Sequence, residues 1–346
     1  MALPKEDKTF AEATVVRAKS SHTYEAYFYE SWCIGTVPHG GYVTACFLQV
    51  AATHFATTLS KQNQPHSIAL HIDFLRRTQA GPALFTVRDT KLGRQTSVIH
   101  VTLTQSGREE VLAVITNSNM HTEDGVSFPT TYNLNPAPLP VATNLLSKNT
   151  DKNWRLQSNM PLSEFRRATQ KTEFYFPREG QASKTCADEW IRLSTGEKWT
   201  NASLGYVSDV WPVSLLGQIV SKLLFLRLTN PRFQMPVEAS LREENIYDFP
   251  EAYNAPVVPD SNGKVTGTMW YPTLLLNLDF KKSLPEEGVE WLFVRTEAKQ
   301  IKKGRLDIET VILDAEGDLV ALSHHVALAV PSERNVAKRV TGASKM

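Results

Sequence analysis

Cysteine is scarce in this chain of 346 residues: Cys33, Cys46 and Cys186 make an odd count at wide spacing. No Cys-x-x-Cys pair or Cys/His cluster has the spacing of a zinc site, and three thiols make no disulfide framework, so a reducing compartment is the simple reading. Charge of one sign is equally short. Lys and Arg number 37 against 36 Asp and Glu, a formal net charge of +1. That balance excludes bulk nucleic-acid binding, which needs a concentrated basic face, yet leaves room for a local cationic site for one phosphorylated ligand. Long apolar runs are missing too. The most hydrophobic segment, Leu215 to Leu228, is broken by Gln218 and Lys222 and is too short and polar to span a bilayer. The opening MALPKEDKTF is polar, so no secretory signal is expected. A Gly-x-Ser-x-Gly elbow is absent, which removes the α/β-hydrolase route to ester chemistry, and Cys33 has no setting that would make it a nucleophile.

What is present describes a soluble globular chain, 42% hydrophobic and 21% charged, of a length that suggests about two domains. After an extended N-terminal stretch, His39-Gly40-Gly41 opens GYVTACFLQVAATHFATTL, where Val43, Phe47, Val50, Ala51 and His54 recur at helical spacing. Four strand candidates follow, HSIALHIDFLRR, ALFTVRDTKLG, TSVIHVTLTQSG and EEVLAVITNSN, punctuated by Gly81-Pro82, Gly93 and Ser106-Gly107 as turns. One helix followed by antiparallel hairpins is an α+β signature.

The unit then repeats. IDFLRR (72–77) returns as LDFKK (278–282), FTVRDTKLGR (85–94) as LFVRTEAKQIKKGR (292–305), and TQSGREEVLAV (104–114) as LDAEGDLVALS (313–323), in the same order at an offset of about 206 to 211 residues. The expected organisation is an N-terminal unit over 1–120, a Pro/Asn/Ser-rich linker over 121–170, and a second unit over 171–335. That second unit holds a helical stretch from about Asn201 and an insert at 229–266, and a tail follows at 336–346.

The last strand of the second unit, LVALSHHVALAV (319–330), carries two adjacent histidines. Neighbours on a strand point to opposite faces. His324 therefore shares an apolar face with Val320, Leu322 and Val326, while His325 stands among Ala321, Ser323, Ala327 and Ala329, where small side chains leave room for a ligand. A slip of one residue in register would exchange the two.

One long helix wrapped by a curved antiparallel sheet is the hotdog unit, and two in one chain make a double hotdog. This sequence resembles the type II (TesB-like) acyl-CoA thioesterases over nearly its whole length. The residues that carry the likeness are VPHGGYVTACFLQVA (37–51), PHSIALHIDFLRR (65–77), LGYVSDVWPV (204–213), TLLLNLDF (273–280) and EGDLVALSHHVALAV (316–330). The resemblance implies an α+β double hotdog that hydrolyses an acyl-CoA to a free acid and coenzyme A through general-base activation of water. No cofactor or metal is implied, coenzyme A being part of the substrate.

The family's catalytic Asp falls on Asp209, its hydroxyl on Thr273, and its glutamine on His325, which is a departure. An imidazole could orient the water and also accept its proton, where an amide could only orient it. With Pro212 disfavouring helix at Trp211, the helix from about Asn201 is expected to stop near Asp209, leaving the carboxylate at a negative dipole end that makes it more basic. Capping of a following helix by Asp209 is the alternative, and Thr273 taken alone is an ordinary strand residue.

Gly40, Gly41 and Tyr42 at the start of the first helix offer backbone donors for an oxyanion, or else only a tight turn for packing. No acid neighbours them in sequence, so a centre belonging to the first unit is not expected. For the coenzyme A phosphates the candidates are Arg94, Lys302, Lys303 and Arg305 in equivalent hairpin loops. The alternatives are a hotdog hydratase or dehydratase, and a non-catalytic binder of acyl-thioesters. The final Ser344, Lys345 and Met346 resemble the peroxisomal Ser-Lys-Leu address, so an import receptor is an expected partner. Neither a nucleic acid nor a membrane span is expected, and a monomer and a homo-oligomer both remain open.

Overall fold

A computed structural model describes residues 7–157, 163–183, 185–210, 269–331 and 333–336 of the chain. The insert 229–266 and the terminal Ser344, Lys345 and Met346 lie outside the described residues.

The first unit contributes β1 (Arg17–Ser20), β2 (Thr23–Phe28), β3 (His66–Phe74), β4 (Gly81–Lys91), β5 (Ser97–Gln105) and β6 (Arg108–Ser118). β7 (Trp154–Leu156), β8 (Thr172–Pro177), β9 (Cys186–Leu193), β10 (Thr273–Phe280), β11 (Leu292–Lys302), β12 (Arg305–Leu313) and β13 (Leu319–Leu328) complete the sheet. All thirteen join in the order β1-β2-β4-β5-β6-β3-β10-β13-β12-β11-β9-β8-β7. Outward from the β3–β10 seam, the order β3-β6-β5-β4-β2-β1 is matched by β10-β13-β12-β11-β9-β8, so the duplication read in the sequence is a pseudo-twofold in space. At the seam His71 pairs with Asn277, which are equivalent positions of the repeat, and His71 Nδ1 lies 2.7 Å from Asn277 Oδ1.

The strands follow from alternation. β4 is buried at every second residue along its first eight positions, and β5 alternates throughout, as a sheet with one face on a core requires. Ser106 and Gly107 both take positive φ, 53° and 72°, and make the two-residue turn that suits the twist of β5 and β6.

Among the described residues the α-helices are α1 (Phe10–Ala13), α2 (Gly40–Ala56), α3 (Thr143–Leu146), α4 (Leu204–Val207) and α5 (Glu333–Val336). α2 is buried around nearly its whole circumference, including Tyr42, Phe47, Val50 and Phe55, because the sheet curls around it. The apolar spacing in the sequence thus marks one stripe of a helix that is apolar almost all round. Its core is continuous with Trp199, Leu204 and Tyr206 of the second unit. α4 packs directly across α2: a β-carbon on Gly205 would lie 2.9 Å from Ala45 N, an approach only glycine allows. β7 adds to the sheet edge by pairing with β8, and Leu146 and Trp154 join a cluster with Tyr175, Trp190, Trp291 and Phe293. Among the described residues no helix is long and apolar enough to cross a membrane.

Candidate active site

The two units meet at the N-terminus of α2. His39 is its N-cap, and the His39 Nδ1 accepts the Gly41 N–H at 3.1 Å. Asp209, 8% exposed, follows α4 and brings a carboxylate to the same N–H: Gly41 N donates to Asp209 Oδ2 at 2.7 Å. Thr273, at the start of β10, donates from Oγ1 to Asp209 Oδ1 at 2.8 Å. The two carboxylate oxygens therefore each accept a donor, one from each unit. The glycines are what permit this. A β-carbon on Gly40 would stand 2.6 Å from Asp209 Oδ2, and one on Gly41 2.9 Å from Asp209 Cβ.

Asp209 opens onto a cavity of about 510 Å³ lined by both units, among them His39, Gly40, Phe74, Thr273, Leu274 and Leu328. That volume suits a small organic ligand. Four arginines, Arg76, Arg77, Arg166 and Arg334, also line it. Arg76 is fixed by donating from Nη1 to the Glu109 carbonyl at 2.7 Å, and Arg77 from Nη1 to the Asn335 carbonyl at 2.8 Å. His39 is neutral: burial first, and then the nearby Arg166 guanidinium, push its pKa down to about 3. With Nδ1 accepting from Gly41, the imidazole proton is assigned to Nε2.

The structure brings together Asp209, Thr273, Gly40 and Gly41, and it corrects several expectations. The helix N-terminus of the first unit does have an acid beside it, supplied by a residue 168 positions away across the unit boundary. Asp209 follows the C-terminus of α4, as the sequence implied, and its carboxylate also meets the positive end of α2. Tyr42 does not reach the cavity; it is fully buried and its hydroxyl donates to the Ala13 carbonyl at 2.8 Å.

His325 lies on the inner face of β13, as alternation requires, but it is fully buried and absent from the cavity wall. Its Nε2 is 2.8 Å from Ser323 Oγ, and burial, followed by His324, pushes its pKa down to about 3. Arg94, Lys302, Lys303 and Arg305 are exposed on hairpin turns and do not line the cavity. In the 302–305 turn the Ala329 N–H donates to the Gly304 carbonyl at 2.8 Å, and Arg305 Nε lies 3.5 Å from Asp307 Oδ2. Sequence spacing does not single out His39 or the cavity arginines as site residues. His39 stood in the HGGY stretch and Arg76-Arg77 in HIDFLRR, but their common cavity exists only after folding.

Comparison with known proteins agrees with this architecture. Residues 28–118 match the family described as the acyl-CoA thioesterase N-terminal domain, and residues 141–329 the acyl-CoA thioesterase C-terminal domain. The chain is 37% identical to the thioesterase-like protein TwmA of Talaromyces wortmannii, over 97% of this chain and 96% of that one. Among solved structures, a putative thioesterase II from Thermobifida fusca YX is similar at a TM-score of 0.62 with 20% identity, covering 93% of this chain and 97% of that one. The acyl-CoA thioesterase II TesB2 from Mycobacterium marinum is similar at 0.53 with 16% identity, covering 93% and 98%. These two likenesses bear on the fold, which is the double hotdog.

Proposed function

This chain belongs to the acyl-CoA thioesterase family and is a thioester hydrolase, and from that premise we propose that it cleaves an acyl-CoA with Asp209 as the general base. The observation that carries the reading is the Asp209 carboxylate, oriented from both sides by Gly41 and Thr273 and opening onto the cavity. From the cavity wall that carboxylate binds a water and accepts its proton as the oxygen attacks the thioester carbon. The tetrahedral adduct then collapses with loss of the coenzyme A thiolate, which takes up a proton to leave as the thiol. Gly40, at the positive end of α2, stands where the developing oxyanion gains from the helix N-terminus.

Arg76, Arg77 and Arg334, on the cavity wall, are assigned to the phosphates in place of the hairpin cations. His325 takes no proton in this scheme. It supports the inner face next to Ala327, the strand partner of Thr273. A thiol-trapping assay over acyl-CoAs of several chain lengths tests the reading. Asp209→Asn should lose about 10²- to 10⁴-fold in kcat, the range of a missing general base, while melting as the parent does. Hydration of an enoyl-CoA without thiol release, or binding without turnover, would replace it.

A further inference from the structure

At the far end of α2, some 20 Å from Asp209 at the rise of a helix, a second cluster has no part in this chemistry. His22 comes from the turn between β1 and β2, His54 from the last turn of α2, and Asp89 from β4. His54 Nε2 lies 2.9 Å from Asp89 Oδ1, and His22 Nε2 lies 3.2 Å from Asp89 Oδ2. One nitrogen from each ring and the carboxylate all fall within 4.8 Å of one another.

We propose that His22, His54 and Asp89 form a binding site for a borderline divalent metal ion of the zinc class. Two imidazoles and a carboxylate suit that class better than calcium or magnesium, which favour all-oxygen shells. The spacing fits as well. Tetrahedral metal–ligand bonds of about 2.0 to 2.2 Å put neighbouring ligand atoms roughly 3.3 to 3.6 Å apart, within the 4.8 Å that bounds the three ligand atoms here.

The outer contacts are those a metal-ligating histidine uses, with the other ring nitrogen held by an oxygen. His54 Nδ1 is 3.1 Å from the Ser21 carbonyl oxygen and 2.8 Å from Tyr24 Oη, and His22 Nδ1 is 2.9 Å from Ser21 Oγ. With a proton on each Nδ1, both Nε2 lone pairs face carboxylate oxygens, and a cation between them resolves the repulsion. His54 is fully buried, while the side chains of His22 and Asp89 are 42% and 23% exposed, so solvent can enter and complete the coordination. The rival is a hydrogen-bonded tie in which each ring keeps its proton on Nε2. Its consequence is a cluster indifferent to metal.

Zinc titration of chelator-treated full-length protein by calorimetry, with the visible absorption of the cobalt(II) form as a second readout, separates the two. The expected result is one ion per chain, with affinity lowered at least about 100-fold in His22→Ala and in Asp89→Asn, since loss of a direct ligand should exceed the 10- to 100-fold effect of an outer partner. His22 is the exposed partner, so His22→Ala should fold and melt as the metal-free parent does. His121→Ala, which alters the separate His66–His121 ring contact, should bind as the parent does. No stoichiometric binding by the parent, or binding retained in both His22→Ala and Asp89→Asn, overturns the proposal.

Discussion

Gly41 has no room for a side chain. An added β-carbon would meet the Tyr206 carbonyl at 2.8 Å, the Gly205 carbonyl at 2.9 Å and Asp209 Cβ at 2.9 Å, and two of these are backbone atoms that cannot rotate away. Gly41→Ala should therefore destabilise by about 1–3 kcal/mol, the usual cost of overpacking. Because the same N–H orients Asp209, thiol release should fall more steeply than thermal stability, and a variant with parental kcat would deny that role. His39 and His325 make a second case at this scale. Both have folded pKa values of about 3 set mainly by burial, against 6.5 ordinarily. Unfolded rings bind protons that the folded ones refuse, so their contribution to stability is complete above about pH 6.5 and is lost as pH falls toward 3. Each ring should add a slope of up to about 1.4 kcal/mol per pH unit in that window. Urea unfolding of His325→Gln between pH 4 and 7 should show a shallower slope than the parent, and equal slopes would show that the ring does not resist protonation.

At the scale of elements, α4 positions Asp209 by lying against α2. Gly205 stands 2.9 Å, by its missing β-carbon, from Ala45 N and 3.1 Å from Leu48 Cδ1 and Thr44 C. Gly205→Ala should push the helices apart, lower the melting temperature and reduce turnover together. Gly125→Ala, where nothing lies within 4 Å, should change neither, and a silent Gly205→Ala would mean that the crossing does not set the carboxylate. Elements of this kind were only partly legible in the sequence. β4, β5 and α2 were readable because a half-buried strand and a packed helix impose periods of 2 and 3.6 on side-chain type. β7 was not, since three residues in a polar linker carry no period, and its strand character comes from pairing with β8. Alternation placed His325 on the inner face correctly but could not say that Ser323 Oγ, and not a cavity, waits there. Asp209 and Thr273 stood out through likeness to a family, because a single carboxylate and a single hydroxyl have no local pattern. His39, the four arginines and the His22–His54–Asp89 cluster are each assembled from separate segments, and linear spacing holds no trace of them.

For the whole molecule the two copies are one functional body. The sheet runs unbroken through the β3–β10 seam, where Asp73 to Ala69 pair antiparallel with Leu275 to Asp279. The carboxylate of Asp209 takes its donors from Gly41 of one unit and Thr273 of the other. Cutting the chain at 120 would strip the α2 N-terminus from Asp209 and leave each half with a bare central strand, and an unpaired strand edge promotes association. The halves 1–120 and 121–346, expressed separately, should each be poorly soluble or self-associated by size exclusion and should release no thiol. Expressed together they should recover a one-to-one complex, because the seam offers five paired positions and the helix crossing a continuous apolar core. Full thiol release by 121–346 alone would mean that the second unit holds a complete centre and that the contribution of Gly41 is dispensable.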